Sequence, residues 1–314
     1  MSDVKKVATR ESYGNTLCEL AEKDENLYVL DADLAEATKT SIFKKKFPER
    51  FIDCGIAESN MMSIAAGMAL TGKKVFCSSF AMFAAGRAYE QVRNSIGYPK
   101  ANVKIGATHA GISVGEDGAT HQCLEDIALM RAIPGMTVIN PADDVEARAA
   151  VKAAYEMEGP VYLRFGRLAI PVFNDGDDYH FEIGKGVKIK DGTDVSLIAT
   201  GLEVRETILA AEELAKEGIN AEIINIHTIK PIDEDIIVET AKKTGKVVTI
   251  EEHSIIGGLG EAVATVLSEK CPTKMTRIGV RDKFGESGPA LELLKKYELD
   301  CEGIVKQVKA FLGK

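Results

Sequence analysis

Residues 108–122, THAGISVGEDGATHQ, have a composition that packing does not explain. They include two of the chain's five histidines, His109 and His121, with the acids Glu116 and Asp117 and three glycines. A buried strand would be a run of Val, Ile and Leu, and a surface helix would avoid three glycines. Glycine allows sharp turns and close approach to a ligand, and histidine titrates near neutral pH. We predict a tightly folded polar loop that presents His109, Asp117 and His121 to one ligand; the alternative is a solvated loop.

A second stretch, residues 51–61 (FIDCGIAESNM), joins a strand-like run to a helix of small residues. The change places Glu58 at a strand-to-helix turn, where open α/β sheets bind ligands. The helix dipole also favours an acid in the first helical turn, so a purely structural role stays open for Glu58.

Two shorter strings carry further candidates. Phe80 and Phe83 lie three residues apart in SFAMF, a spacing that also fits an ordinary core. Arg10 in ATR and Arg167 in RFGR are single cations that also fit a solvated surface. None of these strings identifies a function by itself.

Apolar strand-like runs alternate with helical patterns along the whole chain. This alternation predicts parallel sheets covered by helices on both faces. In the first part, strands are predicted at 27–31, 75–77, 103–106, 137–139 and 161–163, and helices at 12–24, 59–70, 82–96, 122–131 and 143–157, the last capped by Asp143. In the second part, strands are predicted at 195–200, 221–226 and 246–251, and helices at 202–217, 233–243, 258–269 and 302–312.

Residues 171–194 interrupt this alternation with clusters of Pro, Gly and Asp. A length of 314 residues is typical of about two domains. We therefore predict an α/β protein with two consecutive three-layer α/β/α domains, the first with a mainly parallel sheet. The first domain is expected over residues 1–170, the linker over 171–190 and the second domain over 191–314.

The composition excludes several classes of function. A net charge of −9 argues against a general nucleic-acid binder, although small phosphorylated ligands need only local cations. The N-terminus lacks the apolar stretch of a signal peptide, and no window is long enough for a membrane span. The six cysteines show no Cys-x-x-Cys pair, and Cys54 and Cys77 fit buried thiols of a reducing compartment. We expect a cytoplasmic protein that binds neither nucleic acid nor membranes.

Taken together, the strings resemble the transketolase family over residues 8–312. They match its pyrimidine-binding domain in ATR, LDADL, GIAESNM, SFAMF, THAGISVGEDGATHQ and PVYLRFGR. They match its C-terminal domain in ATGLEV, TIKPID, EEHSIIGGLGEAV and KFGESG. The resemblance implies the thiamine-diphosphate-binding fold and transfer of a two-carbon ketol unit from a ketose phosphate to an aldose phosphate.

The resemblance implies that three residues of this chain bind the aminopyrimidine ring of the cofactor. Glu58 matches the catalytic glutamate that hydrogen-bonds a nitrogen of the aminopyrimidine ring, a role that needs a protonated carboxyl. Phe80 and Phe83 match the aromatic pocket around that ring. Where many relatives place a third aromatic, this chain has Gly86.

The resemblance also implies which residues bind the sugar substrate. His109, Asp117 and His121 match residues that contact the sugar hydroxyls, and the two histidines match groups that move protons. Arg10 and Arg167 match the phosphate-binding arginines, for which the guanidinium fork is well suited. In a separate departure from the family, a phosphate-binding serine is replaced by Ala37, with Thr38 directly after it.

One half of the family pattern is missing. The diphosphate-binding domain of these enzymes carries a Gly-Asp-Gly motif and a later Asn, which hold Mg²⁺, and this chain contains no Gly-Asp-Gly. The resemblance therefore implies the C-terminal subunit of a split transketolase. It would share thiamine diphosphate with an N-terminal subunit that carries the diphosphate-binding domain and most of the Mg²⁺ site. Self-association to a heterotetramer is also expected.

Two alternatives stay open. The β subunit of a 2-oxo-acid dehydrogenase shares the fold and the glutamate, but would not need two sugar-facing histidines. A catalytically silent regulatory subunit would keep the fold alone, whereas this chain retains the whole set of candidate residues.

Overall fold

In the part of the chain that the structure describes, two large β-sheets are each covered by helices on both faces, and residues 6–8 and 169–171 form a separate two-stranded antiparallel sheet. The computed structural model describes residues 5–174, 176 and 179–314. The predicted class, two α/β/α units with a mainly parallel first sheet, is confirmed.

The strands in chain order are β1 (Lys6–Ala8), β2 (Leu27–Asp31), β3 (Phe51–Asp53), β4 (Lys74–Phe80), β5 (Val103–Thr108), β6 (Thr137–Ile139), β7 (Val161–Arg164), β8 (Ala169–Pro171), β9 (Val187–Lys190), β10 (Val195–Ala199), β11 (Ala221–Asn225), β12 (Thr228–Lys230), β13 (Lys246–Ser254) and β14 (Lys274–Val280). The α-helices are α1 (Thr9–Ala21), α2 (Ala35–Thr38), α3 (Ser41–Lys46), α4 (Glu58–Leu70), α5 (Tyr89–Gln91), α6 (Asp126–Arg131), α7 (Asp144–Glu156), α8 (Glu203–Lys216), α9 (Glu234–Thr244), α10 (Leu259–Lys270), α11 (Ala290–Lys296) and α12 (Cys301–Leu312). Tighter or wider helical turns cover Pro48–Arg50, Met82–Arg87, Val92–Gly97 and Ile112–Asp117.

The first sheet has the strand order β12-β6-β7-β5-β4-β2-β3, and every pair is parallel except β12 with β6. Successive strand residues point to opposite faces, so a sheet covered on both sides needs nearly continuous apolar strands. Val29 and Phe76 accordingly pack against α1 and α7, whereas Leu30 and Cys77 pack on the face that carries α4 and α6.

The carboxyl ends of β2, β3, β4, β5 and β7 lie along one edge of this sheet. Because β2 lies between β3 and β4, the connections that leave β2 and β3 run to opposite sides. Open α/β sheets bind ligands at such a switch point. Residues that follow these strands are therefore brought together although they are far apart in sequence.

The second sheet has the order β14-β13-β10-β11-β9 and is parallel apart from β9. Helices α8 and α12 pack on one face around Leu197 and Ile223, and helices α9 and α10 pack on the other around Ile198 and Ile224.

Two short strands pair in ways that the sequence did not indicate. Strand β9 lies inside the expected linker, residues 171–190, and pairs antiparallel with β11. Strand β12 follows the second-domain strand β11, yet it extends the first sheet beside β6. A strand of three or four residues is too short to show a period. Linker positions 175, 177 and 178 lie outside the described residues.

Most predicted helices and strands are confirmed within a few residues at their ends, and Asp143 caps α7 as predicted. The helix predicted at 122–131 begins only at Asp126, because the amide of Gln122 is bonded to two backbone carbonyls of the preceding loop. The helix predicted at 82–96 consists of two π-helical turns around α5. Strands β1, β8 and β14 were not predicted.

All six cysteines are free thiols. Cys77 is buried as expected, whereas Cys54 is only half-buried, because it follows the outermost strand β3 of the first sheet. In the part of the chain that the structure describes, no helix is both long and apolar enough to cross a membrane.

A buried ion pair ties the first sheet to the second domain. Arg164 at the end of β7 donates from Nε to Asp126 Oδ2 at 2.8 Å, and the two side chains are 4% and 0% exposed. Arg164 also donates to the carbonyl oxygen of Glu252 at 3.0 Å, and the Tyr162 hydroxyl donates to Asp126 at 2.8 Å. Burial alone would raise the pKa of Asp126, but Arg164, His253 and the Tyr162 hydrogen bond together hold that pKa below its ordinary value.

We expect Arg164→Met to lower the free energy of unfolding by about 3–5 kcal/mol, because it leaves Asp126 as an uncompensated buried charge. Urea denaturation measures the loss. Arg148→Met is the matched control, since Arg148 forms part-exposed ion pairs with Asp144 and Glu19. This control should lower the free energy of unfolding by less than about 1 kcal/mol. Equal losses in the two variants would contradict this account.

Candidate active site

The candidate residues lie at the carboxyl edge of the first sheet and follow different strands. Glu58 opens α4 shortly after β3, Phe80 is the last residue of β4, and His109 directly follows β5. Arg167 follows β7. The topology therefore gathers on one edge residues that span more than a hundred positions of sequence.

Glu58 is 1% exposed and has two side-chain partners. Arg87 Nη1 donates to Glu58 Oε2 at 2.9 Å, and Ser79 Oγ donates to Oε1 at 3.3 Å. The Arg87 guanidinium also lies 4.6 Å from the ring centroid of Phe83, and its side chain is half-exposed. Arg87 was not among the predicted site residues. Its position four residues after Phe83, one helical turn, is the sequence signal that places it beside that ring. In this structure, Arg87 compensates the buried carboxylate.

The two phenylalanines form one aromatic group with the two histidines. Phe80 stacks on His109 with ring centroids 3.9 Å apart, and Phe80 and Phe83 are 5.9 Å apart. His121 meets Phe83 edge-on at 5.4 Å. Phe80 is buried and Phe83 is half-buried, so this group has an open side.

His109 is held as a neutral hydrogen-bond acceptor. Its Nε2 lies 3.1 Å from Arg10 Nη1, and its Nδ1 lies 2.9 Å from Thr108 Oγ1. Arginine can only donate, so Nε2 accepts and the ring proton lies on Nδ1. Burial, with the positive charges of Arg10 and Arg167, lowers the pKa of His109 to about 3. The imidazole is therefore neutral at physiological pH.

The second domain fixes the loop that follows His109. Glu252 accepts a hydrogen bond from the Ser113 backbone N–H at 2.5 Å, and a Cβ at Gly111 would lie 2.4 Å from the Glu252 carboxyl. Gly111, Gly115 and Gly118 have φ values of 84°, 84° and 75°, which favour glycine. The loop is tightly folded, as predicted, because its glycines allow this contact.

The far end of the loop is less closely joined to the site. Arg167 Nη1 donates to Glu116 at 2.7 Å and to the carbonyl oxygen of Val114 at 2.6 Å. Asp117 is exposed, and within the described residues no hydrogen bond or ion pair joins it to His109 or His121. The structure thus brings both histidines together around the phenylalanine rings, while Asp117 is exposed at the end of the loop.

Arg10 and Arg167 form a cationic pair. Arg10 Nη1 donates to the carbonyl oxygen of Ala37 at 2.8 Å, and its Nε is buried without a partner in the described structure. Burial and the nearby charge of Arg167 lower the pKa of Arg10. Two cations held close together, with one donor unused, are suited to binding an anion.

The fold is that of an α/β protein whose sheet edge carries a buried carboxylate, an aromatic group and an arginine pair. Sequence profiles of the transketolase pyrimidine-binding domain and the transketolase C-terminal domain match residues 5–172 and 184–304. The chain belongs to the transketolase family, so the resemblance found in the sequence is confirmed.

Three relatives show how far the similarity extends. The chain is 55% identical over 301 residues to a putative transketolase C-terminal section from Methanocaldococcus jannaschii, with 95% of this chain and 94% of that protein covered. It is 45% identical over 298 residues to a 6-deoxy-6-sulfo-D-fructose transketolase subunit from a Clostridium species, with coverages of 95% and 92%. A solved structure, described as an inactive β4 tetramer of a split-gene transketolase, has a TM-score of 0.89 at 49% identity and covers 98% of this chain and 99% of its own.

We expect Arg87→Met to destabilise the chain by about 1–3 kcal/mol in urea denaturation, because it leaves the Glu58 carboxylate buried without its cation. Adding Glu58→Gln to this variant should recover much of the loss, because the amide carries no charge. Arg93→Met is the control, since Arg93 bonds to its neighbour Asn94 on the surface. A loss no larger than that of the control would show that Arg87 does not stabilise Glu58.

The low pKa of His109 predicts a pH dependence. NMR spectra of histidine-labelled protein should show no titration of His109 between about pH 5 and 8. Because the folded pKa of about 3 lies below the ordinary value of 6.5, the unfolded chain binds this proton first. The stability contribution of neutral His109 is therefore complete above pH 6.5 and declines as the pH falls towards 3. Titration of His109 near neutral pH would contradict the assignment.

Proposed function

We propose that this chain is the C-terminal subunit of a split transketolase that transfers a two-carbon ketol unit from a ketose phosphate to an aldose phosphate. The observation that carries the proposal is the grouping of Glu58, Phe80, Phe83 and His109 at the carboxyl edge. Relatives of nearly equal length are named a transketolase C-terminal section and a transketolase subunit, which supports a divided enzyme.

The proposal gives this chain the aminopyrimidine half of a thiamine-diphosphate site. The donor set fits that half, because a buried carboxyl lies beside two aromatic rings that could stack on a heterocycle for about 0.5–1.5 kcal/mol. Within the described residues, no group of three or more His, Cys, Asp or Glu side chains could hold a metal ion. We assign Mg²⁺ and the diphosphate mainly to an N-terminal partner subunit, because the family's Gly-Asp-Gly motif does not occur in this sequence, and we propose a cytoplasmic heterotetramer.

Bound thiamine diphosphate supplies the carbanion chemistry of ketol transfer, and the protein orients groups and moves protons. In the proposed role, Glu58 carries a proton and donates it in a hydrogen bond to a ring nitrogen. In this structure, Glu58 instead accepts from Arg87 at 2.9 Å. The proposal therefore requires Arg87 to release Glu58 when the ring binds.

In the proposed function, the cationic pair of the site binds the substrate. Arg10 and Arg167 would hold the terminal anion, while His109 and His121, with Asp117 at the loop end, would face the hydroxyls. The Clostridium relative is named for a sugar that carries a sulfonate. We therefore propose sugars with a terminal phosphate or sulfonate as the substrate class.

Co-expression with a partner that carries Gly-Asp-Gly and a later Asn tests the proposal. We expect the two chains to co-purify and to transfer ketol units only when thiamine diphosphate and Mg²⁺ are present. The single chain should be inactive, and normal ketol transfer by it would refute the split arrangement. Oxidative decarboxylation of a 2-oxo acid would instead favour the dehydrogenase β subunit, and an assembly without any turnover would favour a regulatory subunit.

We expect Glu58→Gln in the assembled enzyme to keep the fold, because the exchange is nearly isosteric, and to lower turnover by about 10²–10⁴-fold, because the amide cannot exchange the proton. Steady-state ketol transfer measures the loss, and thermal unfolding checks the fold. Glu213→Gln is the control, since Glu213 is an exposed residue of α8 paired with Lys216. Turnover near that of the control would remove Glu58 from this role.

A further inference from the structure

The turn after β2 packs directly against the helix that carries Arg10. The carbonyl oxygen of Ala37 accepts the hydrogen bond from Arg10, and Lys39 follows in a left-handed conformation with φ 69° and ψ 9°. Gly14 lies one helical turn after Arg10 on the same face of α1. A Cβ at Gly14 would lie 2.3 Å from the Lys39 carbonyl oxygen, so the absence of a side chain there lets this turn approach.

Two threonines fix this turn from the other side. Thr38 Oγ1 and Thr40 Oγ1 donate to Asp31 Oδ2 at 2.7 and 2.9 Å, and Asp31 is buried at the end of β2. A left-handed conformation is uncommon for a residue other than glycine and needs support from its surroundings. The backbone of Lys39 is therefore held in place beside Arg10.

The Lys39 ammonium has no carboxylate partner in the described structure, unlike nearby Lys44 and Lys45, which pair with Asp53 and Glu36. Its charge reaches the site, because Lys39 is one of the cations that, after burial, depress the pKa of His109. Lys39 is thus a third cation near His109, beside Arg10 and Arg167, and it forms no direct ion pair in the described residues.

We propose that Lys39 is a specificity-determining residue that binds the terminal anion of the sugar substrate together with Arg10 and Arg167. It would replace the contact that a serine hydroxyl makes where this chain has Ala37. A lysine ammonium is a compact charge on a flexible stem, so it can reach phosphate or sulfonate without exact geometry. The sugar in this inference rests on the proposed function, whereas anion binding does not.

The first experiment uses the single chain and two probes, inorganic phosphate and methanesulfonate. Each is titrated while the NMR signals of His109 are followed. We expect Lys39→Met to weaken phosphate binding about tenfold, equivalent to about 1.4 kcal/mol, and Lys39→Arg to retain most of it. Lys45→Met is the matched control, because Lys45 is exposed and paired with Glu36, and should bind like the wild type. Comparison of the probes shows which anion the site prefers.

The second experiment uses the assembled enzyme. Lys39→Met should raise KM for a phosphorylated aldose about tenfold, again equivalent to about 1.4 kcal/mol, and leave both kcat and the KM of an unphosphorylated aldose near wild type. Equal behaviour of Lys39→Met and Lys45→Met overturns the inference, as does a wild-type chain whose His109 signals ignore both anions. Absence of ketol transfer in the wild-type assembly would overturn the proposed function, yet the anion titration of the single chain would still decide the role of Lys39.

Discussion

The contact on which the site depends is the buried polar junction between the two α/β units. Arg164 of the first sheet pairs with Asp126 and also binds the carbonyl of Glu252, while the Glu252 carboxyl binds the Ser113 N–H. Burial raises the pKa of Glu252, and Gly111 leaves room for its carboxyl. The second domain contributes none of the candidate site residues. It nevertheless determines the shape of the loop that begins at His109, because the loop folds around a side chain of that domain.

The same edge shows how an acidic protein can bind an anion. The net charge of −9 disfavours polyanions over the whole surface, but it does not determine the local field. Around His109 the charges are positive, from Arg10, Arg167 and Lys39. Burial first, and then these cations, keep the imidazole neutral, so it could accept a hydrogen bond next to an anion without adding a further charge. In the proposed function, the cations that would bind the substrate also contribute to the protonation state of His109.

The helices and strands that depend on a local sequence pattern were predicted, and the strands that depend only on tertiary pairing were missed. Strands such as β2 and β5 were predicted because a strand covered on both faces must be continuously apolar. Strand β12 was not assigned to the first sheet, because nothing in three residues specifies a partner ninety positions away. Motifs placed Glu58, Phe80 and His109 on one edge. The ion pair of Arg87 was missed, because its spacing from Phe83 is a weak signal and an arginine within a helix usually faces solvent.

The Arg87 pair also explains how a half-site could be stable alone. In the proposed site, the buried carboxyl of Glu58 would lack its ring partner in the single subunit, and an unpaired buried carboxylate is costly. Arg87 supplies the countercharge to Glu58 and lies 4.6 Å from the ring centroid of Phe83, so one side chain contacts both groups that would bind the ring. Arg87 is half-exposed and can leave without disturbing the core. In the proposed assembly, cofactor binding then exchanges one pairing of Glu58 for another, which makes cofactor affinity depend on the strength of the Arg87 contact as well as on the ring pocket itself.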